Sequence, residues 1–440
     1  MSDHSVLRIT RELYELTKGG DLSIAAACRD VDVRRVRALI IGPPDTPYEF
    51  GFFEFLIKFG KDYPTKAPYV ISLTTNRGQT RFNPNIYSIG KVCLSILGTW
   101  RGSSGEEWSS AQGLESVLLS IQSLMSSNPY ENEPGFEEAR GEEDKKLQQL
   151  YVEKIRHETL RISVIERLED HLGIDRKQNK RPTHITPDAE PNPEVDEWEP
   201  FKDKCKLRCL WYFQSYMNSI NDGMAKHKDG TRFERMPFEG HGNQMDGQFM
   251  YSQLKKRLLV VREKLDEETA LWAGEGLIAV QKELTIANNI KRQYEQTVEL
   301  FKRLDSPLDI ELIDDNPFVW ILTLVGQPMT NLDAGIVRIR MHISPNFPEE
   351  QPRVVVLTPL FHHRISSSGQ LCYFTTRDSS NLASHVQAII TAIEDENPAY
   401  DPRTLVNPEA AKLLWGSPED KKTYNRRLRR SVQDSLEYGY

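Results

Sequence analysis

The chain has 440 residues, 27% of them charged and 38% apolar, with a formal net charge of −8. That length exceeds one ordinary core and predicts two or three domains. The acidic balance gives no support for nucleic-acid binding, and no apolar run reaches the roughly 18 residues of a membrane span.

Met1-Ser2-Asp3-His4 begins no secretory apolar core. Residues 5–17 are predicted helical: Leu7, Leu13 and Leu16 recur at helical spacing, Arg8 and Arg11 lie beside them, and Gly19-Gly20 ends the run. Strand-like runs follow at Ile24–Cys28, Val33–Ile41, Phe52–Phe59 and Val70–Thr74, punctuated by Gly42-Pro43-Pro44-Asp45-Thr46-Pro47 and Tyr63-Pro64. Leu114–Met125 is apolar enough for a buried helix, stopped by Asn128-Pro129, and Leu147–Glu169 reads as one or two more. Residues 173–200 carry five prolines, many charges and almost no large apolar side chain, the composition of a linker. Lys177–Arg181 within it reads as plain linker rather than a nuclear signal.

Residues 201–220 are aromatic-rich and predicted helical, Asp222–Met245 a loop, and Phe249–Asp266 helical again. Leu277, Val280, Leu284, Ala287, Ile290, Tyr294, Val298 and Phe301 then alternate spacings of three and four, one apolar face of a single long helix. Cys205 and Cys209 lie four apart on a predicted helix. Without a second ligand pair they read as core packing rather than a zinc site. Five cysteines (28, 93, 205, 209 and 372), few and odd in number, argue against a disulfide framework and for a reducing cytoplasmic or nuclear setting. The basic run Arg426–Arg430 reads as a solvated helix face.

The chain repeats itself. At a shift of 284, Asp30, Gly42, Pro44, Thr46, Gly51, Pro64, Pro68 and Val70 fall on Asp314, Gly326, Pro328, Thr330, Gly335, Pro348, Pro352 and Val354. Most are the residues that set turn geometry. At a shift of 279, Cys93 meets Cys372, Gly90 meets Gly369 and Asn85 meets Arg364, so the loop before the cysteine is five residues shorter in the second copy. The predicted class is α+β: two copies of one fold, each a four-strand antiparallel meander with flanking helices, joined by a linker and a helical region. The predicted boundaries are 5–172, a linker at 173–200, a helical extension at 201–276 and a second domain at 277–437.

Cys93 is the candidate nucleophile. Its segment holds no histidine and only Lys91 as a close base, which argues against a protease-type Cys–His pair. A cysteine without a strong base suits exchange with an incoming thioester, whose leaving thiol is good. Asn85, eight residues earlier, either donates to the oxyanion formed when an amine attacks or pins the loop through its backbone. A buried, inert small hydrophobe is the bland alternative for Cys93.

With Gly42–Tyr48, Asp62-Tyr63-Pro64 and Asn83-Pro84-Asn85 followed by Cys93-Leu94, the chain resembles the ubiquitin-conjugating enzyme family. Asn83, where His is usual, and the stretches Leu94–Trp100, Asn128–Phe136 and Ile155–Val164 resemble its Z group. The resemblance implies that Cys93 accepts ubiquitin or a ubiquitin-like modifier from an activating enzyme and passes it to a lysine or a ligase, with no cofactor and no metal. It implies Glu131, on the rim after Asn128-Pro129, as the residue that orients the lysine, and Arg8 and Arg11 as activating-enzyme contacts. Thr65 and Ser109-Ser110-Ala111 stand where apolar ligase anchors are common, which puts ordinary RING partnering in doubt. Gly98–Glu107 is an insertion beside Cys93, either a gate or a surface loop.

In the second copy His362-His363-Arg364 replaces the family's His-Pro-Asn, while Asn407-Pro408 and Tyr424 resemble its tail. Arg364 would offer positive charge to an oxyanion, and His362 or His363 would lower the pKa of Cys372 if that site works. The missing amide favours a binding or scaffold role. The alternative for the whole chain is a non-catalytic tandem module that binds ubiquitin or a partner; a cysteine hydrolase would need a histidine brought to Cys93 by folding.

Overall fold

The computed structural model describes residues 4–18, 22–100, 105–138, 140–174, 198–240, 245–375 and 378–438. Most of the predicted linker, with Lys177–Arg181, lies outside them. The chain divides into two compact units, one of residues 1–205 and 218–261, the other of 206–217 and 262–440.

The first unit opens with α1 (His4–Lys18) and a meander of β1 (Ile24–Arg29), β2 (Asp32–Ile41), β3 (Phe52–Lys58) and β4 (Tyr69–Ser72), antiparallel in sequence order. The two-residue side-chain period decides its faces. Val36, Ala38 and Ile40 of β2, with Phe53, Phe55 and Ile57 of β3, pack against Ile9 of α1 and against Leu114, Val117, Leu118 and Ile121 of α2 (Leu114–Ser123). α3 (Glu142–Glu158) runs without a break through a π-helical stretch, Thr159–Glu166, into α4 (Arg167–His171).

The other face of the sheet is buried too, and it is charged. Glu54 of β3, 1% exposed, lies between Arg37 of β2 and Arg167 of α4 and bonds to both. Glu199 joins them, 3.9 Å from Arg37, 3.8 Å from Arg167 and 3.5 Å from His171. The C-terminal end of the predicted linker is thereby tied to the sheet. Burial pushes Glu54 up, but Arg167 and Arg37 outweigh it and leave its carboxyl lowered. Burial likewise opposes, and His171, Arg167 and Arg37 together hold, Glu199 down to about 2 against an ordinary 4.5. This stabilisation is fully present above pH of about 4.5 and is lost as pH falls towards 2. Glu54→Gln leaves two arginines short of their carboxylate, so the first unfolding transition of the full chain in urea should lose about 3–5 kcal/mol at pH 7. A loss below about 1 kcal/mol, the range of exposed pairs, would show that water reaches the cluster.

Of residues 222–245, expected as a loop, the described ones (222–240 and Met245) pack against the first unit. α5 (Lys202–Lys226) ends at Lys226, and the segment beyond it packs into the first core through Met236, Met245 and Phe238. Lys154, 1% exposed, bonds both oxygens of Glu239 at 2.7 and 2.8 Å. Cys205 and Cys209, both fully buried, pack as expected.

The second unit repeats the sheet. β5 (Leu308–Ile313), β6 (Asn316–Val325), β7 (Ile336–His342) and β8 (Arg353–Val356) again pair in sequence order. The register is the first sheet's: Ile24 faces Ile40, and Leu308, 284 positions on, faces Leu324. Gly42 and Gly326 mark the same turn. A Cβ on either would lie 1.8 Å from a carbonyl oxygen, that of Tyr48 or Leu332. α8 (Leu382–Glu394), α9 (Pro408–Leu414) and α10 (Pro418–Tyr438) complete the copy.

The single long helix expected over Leu277–Phe301 is two. The preceding helix, α6, runs from Tyr251 to Gln281 and α7 from Thr285 to Arg303. Between them Glu283 takes a left-handed φ of 50° and Leu284 is extended. The side chains explain the break: Leu277, Val280 and Leu284 are exposed, whereas Ala287, Ile290 and Phe301 enter the second core. The apolar spacing runs on across a turn that packing places at 282–284.

Candidate active site

Asn83 organises the loop that carries Cys93. Its Nδ2 donates to the Tyr48 hydroxyl at 3.0 Å and to the Leu124 carbonyl at 2.8 Å, while its Oδ1 accepts from the Asn85 backbone N–H at 2.9 Å. Tyr48 in turn donates to the Phe82 carbonyl at 2.7 Å. Asn85 then closes the loop on the cysteine twice. The Cys93 N–H donates to the Asn85 carbonyl at 2.8 Å, and Asn85 Nδ2 donates to the Cys93 carbonyl at 3.0 Å. Of the two sequence readings of Asn85, loop support is the one this geometry displays. Its amide has two N–H groups, and the second is not used by that bond.

Cys93 is 3% exposed, at the start of a tight segment that leads into the 3₁₀ turn Ser95–Leu97. Thr99 clamps the segment, its hydroxyl accepting from Leu94 N–H at 2.9 Å and donating to the Val92 carbonyl at 2.8 Å. Sequence reasoning missed Thr99 and also Tyr87. The Tyr87 phenol is pushed up by burial and then by the Cys93 sulfur beside it. The Arg81 guanidinium lies 4.9 Å from the Tyr87 ring and bonds Glu133 at 2.9 Å. Tyr87 follows Ile86, which bridges Val92, and its own N–H donates to the Lys91 carbonyl at 2.9 Å; no local sequence signal marked it.

Glu131 is exposed on the 3₁₀ turn Pro129–Asn132. Its neighbours are committed: Asn132 donates to the Leu124 carbonyl at 2.9 Å, and Glu133 holds Arg81. Arg8 is also committed, bonded to Glu12, whose second oxygen accepts from Tyr63 at 2.6 Å and from Leu114 N–H at 2.9 Å. Arg11 pairs with Glu15 in its own helix and stays 77% exposed. Thr65 and Ser109–Ala111 are exposed, and Trp108 between their loops donates to the Pro64 carbonyl at 2.8 Å. Residues 101–104 of the insertion lie outside the described residues.

The second copy keeps the loop but not the amide. Cys372 N–H donates to the Arg364 carbonyl at 2.9 Å, and Arg364 N–H to His362 Nδ1 at 3.1 Å, as at Cys93 and Asn83. Arg364 brings no amide, and among the described residues its buried Nε has no partner. Residues 206–217 of α5 cover the sulfur. Trp211 packs edge-on to Phe374 at 5.2 Å, Arg208 lies 4.9 Å from the same ring, and Tyr212 donates to the Arg403 carbonyl at 2.8 Å. Cys372 is 0% exposed. Burial pushes its thiol up to about 12, with Arg208 and Arg364 only partly opposing.

The expectation that a histidine activates Cys372 is overturned. Burial and then the Arg364 charge hold His362 at about 3, and burial, His362 and Arg364 hold His363 at about 2. Both rings are therefore neutral at pH 7, and neither supplies the positive charge that stabilises a thiolate.

None of the five cysteines forms a disulfide, and no described helix is long and apolar enough to cross a membrane. A family model described as ubiquitin-conjugating enzyme matches residues 8–159 and again 289–432. Among curated proteins, ubiquitin-conjugating enzyme E2 Z of Xenopus tropicalis is 51% identical over 168 residues, which is 38% of this chain and 52% of that protein. Ubiquitin-conjugating enzyme E2 Z of Homo sapiens is 39% identical over 262 residues, 60% of this chain and 64% of that protein. The matches thus span about half to two thirds of these relatives. Among solved structures, human ubiquitin-conjugating enzyme E2 G1 is 33% identical with a TM-score of 0.25, covering 28% of this chain and 97% of that one.

Proposed function

From the premise that the chain belongs to the ubiquitin-conjugating enzyme family, we propose that its first domain carries ubiquitin or a ubiquitin-like modifier as a Cys93 thioester. The Cys93 thiolate attacks the carbonyl of the activating enzyme's thioester, and that enzyme's thiolate leaves. A lysine amine, or a ligase nucleophile, then attacks the new thioester. The tetrahedral oxyanion collapses, the Cys93 thiolate departs, and the amine gives up a proton as the amide forms. Asn85 supports transfer through its second N–H, and Glu131 on the exposed rim orients the lysine. Arg11, the more accessible of the two helix arginines, is the activating-enzyme contact, while Arg8 shapes the helix that presents it. The polar Thr65 and Ser109–Ala111 argue for a ligase other than an ordinary RING type, and the second domain acts as a binding or scaffold module in the same reducing compartment.

The observation that carries this reading is the asymmetry between copies: the amide-pinned loop is intact at Cys93, whereas Cys372 has Arg364 for the amide and a thiol held protonated by burial. Incubation of the full chain with activating enzymes, ATP and a panel of modifiers should give an adduct that a reducing thiol removes. No adduct with any modifier, alongside measurable ubiquitin binding, would favour the non-catalytic alternative.

A further inference from the structure

The two sheets carry opposite charges at one matched position. Glu54 of β3 and Arg338 of β7 lie 284 residues apart and share their backbone bonds. Each N–H donates at 2.9 Å to a threonine hydroxyl, that of Thr74 or Thr358. Each carbonyl accepts at 2.8 Å, from Leu73 or Leu357 N–H. In the first unit Glu54 is sealed between Arg37 and Arg167. Trp198 and Glu199, the last residues of the acidic run 194–199, complete that cluster. Glu199 lies beside both arginines, and the Trp198 ring is 5.4 Å from the Arg29 guanidinium.

The second sheet has the arginine without such a cover. Val337, Ile339 and Met341 of β7 enter the core, so Ile336, Arg338, Arg340 and His342 lie on the other face. Arg338 is exposed, and among the described residues neither it nor Arg340 pairs with a carboxylate. Arg340 is partly buried, and its Nε is shut from water with no acceptor among those residues. Such a donor costs free energy until an acceptor arrives. Burial and then the Arg340 charge hold His342 at about 4, so it is neutral at pH 7 and adds no charge. The register sets Asp309 and Glu311 of β5 in the same rows as the arginines, but two strands away, about 10 Å at the usual strand spacing. At the turn end of the face Val325 and Ile336 stand directly opposite each other, 44% and 42% exposed. Along β7 the face thus presents an apolar pair and then two arginines without carboxylates.

We infer that this outer face of the second sheet binds an acidic peptide segment that carries a large apolar side chain, with that side chain on Val325 and Ile336 and carboxylates on Arg338 and Arg340. The occupant has the chemistry that the first sheet takes from its own chain at Trp198 and Glu199. The inference gives a partner class to the binding role proposed for the second domain; it rests on that role and not on Cys93. Calorimetry on the full chain at low salt uses acetyl-Glu-Val-Asp-Glu-Trp-Glu-amide, the sequence of residues 194–199, as the probe. Saturable one-to-one binding is expected. The uncharged acetyl-Gln-Val-Asn-Gln-Trp-Gln-amide, and the acidic peptide with Ala for Trp, should each bind at least about tenfold more weakly. Arg338→Glu, which restores the first copy's charge, should weaken the acidic peptide by about the same factor in protein whose circular dichroism is unchanged. Adding Arg340→Gln should abolish binding. Arg426→Glu with Arg430→Glu, on the exposed basic face of α10, should leave it unchanged. Cys93→Ala should leave it unchanged too, so a chain that forms the adduct but binds no peptide refutes this inference alone. Oligothymidylate that displaces the peptide at equal concentration would make the face a nucleic-acid site instead. Absence of saturable binding, equal binding of the uncharged peptide, or binding that survives in folded protein carrying Arg338→Glu and Arg340→Gln overturns the inference.

Discussion

Cys93→Ala is expected to remove the thiol-sensitive modifier adduct completely, while Cys372→Ala leaves its yield unchanged. In the proposed function the sulfur is the atom to which the acyl group is bonded, so its removal has no partial outcome. The contrast at Cys372 rests on two independent barriers. With the thiol at about 12, on the order of 10⁻⁵ of it is thiolate at pH 7. Even that fraction lies beneath Arg208, Trp211 and Tyr212, which pack on the cysteine loop. Alkylation should separate the two barriers. Iodoacetamide should label Cys372 far more slowly than Cys93 in native protein, and Trp211→Ala should speed that labelling without creating an adduct. An adduct that survives Cys93→Ala and vanishes with Cys372→Ala would assign transfer to the second copy and sink the proposal.

Much of this arrangement is legible in the sequence because the fold repeats. Pro44 and Pro64 fix φ, and Gly42 and Gly51 stand where a Cβ would collide with its neighbours, so their recurrence at one spacing marks two meanders and their shared register. Site residues close together in sequence are legible for the same reason. Asn83, Asn85 and Cys93 meet through one short loop, whose hydrogen bonds follow from its length. Contacts made at long range are not. Glu54 and Arg167 are 113 residues apart, and nothing local in β3 says that its outward carboxylate will find two arginines. The closing of Cys372 by residues 206–217 is hidden likewise. An aromatic-rich helix such as Leu210–Phe213 announces that it packs, not what it covers. Periodicity misled at 282–284 because exposed leucines keep the same spacing as buried ones, and only tertiary packing separates Leu277 from Ile290.

Asn85→Ala is expected to cut transfer from preformed thioester to free lysine by about 10²–10³-fold, the usual cost of losing one oxyanion donor, while charging of Cys93 proceeds. The structure makes this a test between two roles. One amide N–H already holds the Cys93 carbonyl, and the backbone bonds from Cys93 N–H to Asn85 and from Asn85 N–H to Asn83 persist when the side chain is removed. The loop therefore keeps two of its three ties, and the sulfur should remain in place for the first exchange. Amine attack differs in the proposed mechanism, because negative charge would build on the modifier's carbonyl oxygen and the second amide N–H would donate to it. Single-turnover discharge measured apart from charging distinguishes the cases. If both steps fall together, Asn85 acts only as a pin. If discharge alone falls, the amide acts on the oxyanion, and Asn85→Asp, which keeps the size but loses both donors, should be at least as slow as alanine. The second copy makes the same point in reverse. Arg364 preserves the backbone ties of the loop without the amide, so loop shape alone does not require asparagine there, and the role proposed for Asn85 beyond shape is that of a neutral donor to the reacting carbonyl.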